Sequence, residues 1–155
     1  MAVAFTREED YEARAADLPD RPISPHPNLV TAAGYAAIET AIASLRQERA
    51  ATPADDRVAH ARIARDLRYW NARRASARIM PPPDPALGQV QFGSTVTILR
   101  DDGRRQIFRI VGEDEADPAQ GTLAYVAPLA HALLGKSVGD VVSIGVAEAE
   151  ILAVA

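Results

Sequence analysis

The segment Pro81-Pro82-Pro83-Asp84-Pro85 divides this chain. Proline lacks an amide donor and fixes φ, so neither a helix interior nor a central strand can run through it. Before the segment, apolar residues recur at helical steps. After it, they alternate with period two. The chain must therefore fold as a helical part and a strand part, joined by a stiff, partly polyproline linker over residues 81–88.

On the helical side, Asn28 and Thr31 are suitable N-caps. Tyr35, Ile38, Ile42 and Leu45 then recur at steps of three, four and three, a narrow seam of the coiled-coil type. A second helix is expected over 54–79, with Thr52 as N-cap and Pro53 in its first position. Its seam reads His60, Ile63, Leu67, Trp70, Arg74 and Ala77. Arms of about 22 and about 26 residues form an antiparallel hairpin about 33–39 Å long. Ahead of it, Pro19, Pro22, Pro25 and Pro27 make residues 1–28 an extended tail, poorly ordered over 1–17 and pinned by Leu18 and Ile23.

On the strand side, strands are expected at 90–99, 105–112, 122–127, 138–146 and 148–155, with Asp101-Asp102-Gly103 as a hairpin turn. Pro128 to Leu134 is a short helix stopped by Gly135. The fold class is α+β: an N-terminal antiparallel coiled-coil hairpin (29–80), then an antiparallel-sheet domain with one short helix (89–155).

The net charge of −4 hides an asymmetry. Residues 1–20 carry six acids and two bases, residues 46–78 carry nine arginines against four acids, and residues 89–155 carry nine acids and five bases. A basic middle between acidic ends suggests parts with separate tasks. There is no cysteine, which excludes disulfides, thiolate nucleophiles and Cys-ligated zinc. His26, His60 and His131 stand far apart, so the chain is not expected to hold a metal alone. No apolar run reaches the ~18 residues of a membrane span. The N-terminus lacks an h-region, and a cytoplasmic monomer is expected.

Three blocks carry a specific resemblance: Phe92 to Val96, Val111 to Asp117, and Pro128 to Asp140, in order and correctly spaced. With them goes Gly34 followed by Ile38, Ile42 and Leu45. Residues 28–155 thereby resemble the bacterial GreA/GreB transcript-cleavage factors. The resemblance implies an FKBP-like C-terminal domain that grips the rim of the secondary channel of core RNA polymerase. It implies a hairpin that enters the channel, close to the RNA and DNA of the elongation complex. Acids at the tip help hold the second magnesium ion of the polymerase, which itself hydrolyses the RNA. The factor has no catalytic residue and no cofactor of its own; a shared Mg²⁺ is the only ion implied.

Under this resemblance the candidate tip acids are Asp55 and Asp56. The polymerase-binding residues are Asp117, Ala127, Pro128, Leu129 and His131. Arg49, Arg57, Arg62 and Arg65 are the channel or nucleic-acid contacts. The family tip reads Gly-Asp-Leu-Lys-Glu-Asn-Ala-Glu-Tyr-His. With His60 on its histidine, Thr52 takes the place of the Asp, Asp55 that of the Glu and Asp56 that of the Asn. The arms are also about six residues, ~9 Å, shorter than the family's. Weak or absent cleavage stimulation is therefore expected. Two alternatives stand beside this reading. One is an inhibitory or competing channel ligand of the nucleoside-diphosphate-kinase-regulator type. The other, remote, is a peptidyl-prolyl isomerase, for which the domain supplies only Phe92, Phe108 and Tyr125 as pocket aromatics.

Overall fold

A computed structural model describes residues 18–155, in two units. The helical unit comprises the described residues up to Pro25 and Ala36–Ser76; the sheet unit comprises His26–Tyr35 and Ala77–Ala155. The expected disorder of residues 1–17 lies outside the described residues. Among the described residues no helix is long and apolar enough to cross a membrane.

Helix α1 spans Ala32–Ala51 and α2 spans Arg57–Ser76, 20 residues each. At 1.5 Å per residue each arm is about 30 Å long. The second helix is thus shorter at both ends than its periodicity suggested. The Thr52 hydroxyl does not cap it; that group donates backwards to the Glu48 carbonyl, at 2.6 Å. Asp56 caps it instead, its Oδ1 accepting from the Ala59 amide at 3.1 Å. At the far end, residues 78–79 leave the helix to pair as a strand. Ile38 and Ile42 of α1 and Ile63 and Leu67 of α2 are the buried aliphatic residues of the pair. Arg73 is buried as well, at 1% exposure, where the apolar seam had pointed to Arg74.

The sheet unit holds seven strands. β1 (Leu29–Val30) and β2 (Arg78–Ile79) form a small parallel pair. The other five are β3 (Thr95–Arg100), β4 (Arg105–Val111), β5 (Thr122–Ala124), β6 (Val141–Ile144) and β7 (Ala147–Val154). Their order is β5-β4-β3-β7-β6. All neighbours are antiparallel except β5, which adds to β4 in parallel. Helix α3, Pro128–Leu133, buries Ala130 and Leu133 among Val90, Val96, Ile98, Ile110, Leu123, Val142, Ala149 and Ile151. Strand alternation supplies this core: Val96 and Ile98 point inward while Thr95 and Thr97 stay partly exposed.

Strand β3 begins later than the sequence pattern suggested, for a local reason. Residues 91–94 form a turn in which the Ser94 amide donates to the Gln91 carbonyl and the Gln91 amide to Ser94 Oγ, both at 2.9 Å. Gly93 within it sits at φ +87°, a conformation that penalises other residues. The expected hairpin turn forms between β3 and β4. There Asp102 accepts from the Arg104 amide at 3.0 Å and from Arg104 Nε at 2.6 Å. These bonds, the amide first, hold its carboxyl below the ordinary carboxylate range.

Candidate functional site

The hairpin tip is the five-residue connection 52–56 between α1 and α2. Two amide–carbonyl bonds of 3.0 Å, Asp56 to Pro53 and Arg57 to Asp55, close it tightly. His60 Nε2 lies 3.1 Å from the Pro53 carbonyl and staples the tip onto the first turn of α2. The structure thus brings Asp55 and Asp56 together, both exposed, but gives them different tasks. Asp56 is engaged through Oδ1 as the N-cap. The Asp55 carboxylate makes no polar contact among the described residues. Replacing Asp56 by Ala is expected to cost about 1 kcal/mol and to lower the helical melting midpoint by about 4–8 °C, read by circular dichroism. Asp55→Ala should leave it unchanged.

The four candidate channel arginines divide in the same way. Arg49 and Arg57 are exposed beside the tip. Arg62 bonds Glu48 across the hairpin and also lies 3.6 Å from Asp66. Arg65 lies 3.2 Å from Asp66. Arg62 and Arg65 are therefore engaged within the helical unit.

In the sheet unit, the candidate partner-binding residues lie in two adjoining pieces of chain. Asp117 is exposed and caps a short 3-10 turn, Pro118–Gln120, accepting from the Ala119 amide at 3.2 Å. Its own amide donates to Thr122 Oγ1 at 2.8 Å, which fastens this loop to the start of β5. Beyond β5, Ala127 precedes α3 in extended conformation, and Pro128 opens the helix, where its missing amide costs nothing. Pro128 and His131 are exposed, whereas Leu129 leans on the core. The two pieces flank β5 in the chain.

Glu115 has a task that the sequence did not disclose. Its Oε2 accepts from the amides of Thr31, at 3.0 Å, and Gly112, at 3.1 Å. Its Oε1 accepts from the Thr31 hydroxyl, and Thr31 Oγ1 accepts from the Gly34 amide at 3.0 Å. One carboxylate thus ties the first turn of α1 to the loop after β4, at a helix end where negative charge is favoured. A Cβ on Gly34 would overlap the Glu115 carboxyl group, and one on Gly112 would overlap the Leu29 carbonyl. Both glycines are there for close approach, although neither has a positive φ. The signal in the sequence was Thr31 followed three residues later by a glycine inside a helix.

The exposed features are thus the acidic tip of the hairpin and, in the sheet unit, a loop–helix corner. Residues 84–155 match the family described as "Transcription elongation factor, GreA/GreB, C-term". The GreB elongation factor of Neisseria meningitidis serogroup B is 42% identical over 97 residues, covering 59% of this chain and 60% of that protein. GreA of Helicobacter pylori is 44% identical over 71 residues, 45% of this chain and 43% of that protein. Residues 84–155 are thus similar to the C-terminal domain of the GreA/GreB transcription elongation factors. The chain thus spans about 60% of the length of the GreB that it matches. Among solved structures, GreA factor homolog 1 of Thermus thermophilus covers 84% of this chain and 99% of that one at 22% identity and a TM-score of 0.40, too low to support a conclusion.

Proposed function

We propose that this protein is an accessory factor that binds core RNA polymerase, inserts its hairpin into the secondary channel and modulates elongation there without strongly stimulating RNA cleavage. The match over residues 84–155 supports the partner. The exposed corner of Asp117, Ala127, Pro128, Leu129 and His131 is the docking surface in this reading. The observation that carries the second half of the proposal is the tip. A clamped second magnesium ion needs several well-placed oxygens. Here Thr52 directs its hydroxyl to the Glu48 carbonyl, and Asp56 spends an oxygen on the helix N-terminus. Only Asp55 offers a carboxylate with no other engagement. The channel is then occupied rather than equipped, which also favours competition with other channel ligands.

Two measurements test this. The purified protein should co-elute with core RNA polymerase at moderate salt, and His131→Glu, at an exposed position, should weaken retention while leaving the fold intact. In stalled elongation complexes, the protein should slow extension and produce little Mg²⁺-dependent RNA shortening. Rapid shortening that Asp55→Ala removes would refute the occupancy reading. Failure of the wild-type protein to bind polymerase would refute the partner.

A further inference from the structure

Residues 18–25 have no regular secondary structure, yet they are fastened to the outer face of α2. The Asp20 carboxylate accepts from Arg68 Nε at 2.7 Å. The next residue, Arg21, places its guanidinium 3.8 Å from the centre of the Tyr69 ring and 5.7 Å from that of Trp70. Its Nη1 lies 3.7 Å from Asp66. Tyr69 and Trp70 meet edge to face at 5.1 Å, so the two rings form one aromatic step. Ile23, in contrast, is 48% exposed, and no apolar residue of the strap, 18–25, is fully buried.

The dipeptide Asp20-Arg21 therefore sets an anion on an arginine and a flat, delocalised group on the adjacent tyrosine. A nucleotide would offer the same pair: a phosphate for Arg68 and a base for Tyr69. Arg65, one turn back on α2 and 3.2 Å from Asp66, would exchange that carboxylate for the next phosphate along a strand. The strap also lies outside the part of the chain that matches the elongation-factor domain. We propose that residues 18–25 are an autoinhibitory cover over a contact for single-stranded nucleic acid on α2, formed by Arg65, Arg68 and Tyr69, and that the strand displaces the strap to bind. The contacts suit an exchangeable cover. Arg68 and Asp20 are 53% and 70% exposed, and ion pairs so exposed are weak and screened by salt.

Trp70 is the single tryptophan of the chain, so its fluorescence reports on this site alone. The test uses a dye-labelled oligouridylate of about 12 nucleotides and the full chain at low salt. Opening the cover with Asp20→Asn and Arg21→Ala should tighten binding about five- to thirtyfold, the factor by which one exposed ion pair and one cation–π contact hold the strap closed. Oligonucleotide should shift Trp70 emission in the wild type. Adding Arg68→Ala and Tyr69→Ala to the opened protein should remove the gain. Circular dichroism checks that every variant keeps its helices, and Asp20→Asn alone serves if the double variant does not. The proposal is overturned if the opened protein binds no tighter than wild type, if neither binds, or if the gain survives loss of Arg68 and Tyr69.

Discussion

Gly34→Ala should lower the melting midpoint of the sheet unit by about 6–12 °C, and adding Glu115→Ala should lower it little further. The alanine methyl would occupy the volume of the Glu115 carboxyl group. Overpacking of this kind costs about 1–3 kcal/mol when neighbours can yield. Here yielding means expelling the carboxylate from three donors, the amides of Thr31 and Gly112 and the Thr31 hydroxyl. Each lost bond to a charged acceptor removes about 1.5–3 kcal/mol at most, partly recovered from water. Glu115→Ala alone forfeits those bonds but removes the obstacle, so the double variant should resemble it. Calorimetry of the four proteins gives the coupling directly. Hydrogen exchange at Thr31 and Gly112 should rise in all three variants. If the two substitutions simply add, Gly34 and Glu115 do not share this space and the clasp is misassigned.

Ile63→Ala should melt the hairpin while the sheet domain stays folded. Ile63 is fully buried, and among the described residues the helical unit has three other buried aliphatic residues: Ile38, Ile42 and Leu67. Truncation of a buried isoleucine costs about 2–5 kcal/mol. A pair of 20-residue helices has little to spare, because helices of that length are marginal without packing. The sheet unit has its own ten-residue core, to which no residue of the hairpin seam belongs. The helical signal in circular dichroism should fall at temperatures where the sheet persists, and trypsin should cut first among the arginines of α2. A single cooperative transition at a lowered temperature would show instead that the two units unfold as one.

How far the sequence could be read follows from what each residue was asked to reveal. Ile38, Ile42, Ile63 and Leu67 lie at helical steps, and all four are buried. The period change across Pro81–Pro85 marked the onset of the sheet part, and Asp101-Asp102-Gly103 its first hairpin. The start of α2 was misplaced because Thr52-Pro53 and Asp56 are both valid beginnings. The competition is decided by the Thr52 hydroxyl turning back to Glu48, which no local propensity records. Arg73 was missed because hydropathy places arginine outside, and its burial depends on tertiary surroundings. The stretch from Glu113 to Asp117 is a run of four acids in five residues. Its members differ: Glu115 turns inward to Thr31 and Gly112, while Asp117 caps a turn at the surface. Composition assigns all of them the same charge; only the fold separates their work.

The strand order has a further consequence in time. β7, the last strand in the chain, lies between β3 and β6, so the five-stranded sheet cannot close before residues 147–154 are available. The hairpin needs nothing beyond Ser76. At typical rates of synthesis, the stretch from the end of α2 to the end of β7 takes roughly 4–16 s to make. The hairpin can thus be folded on the nascent chain while β3 still waits for β7.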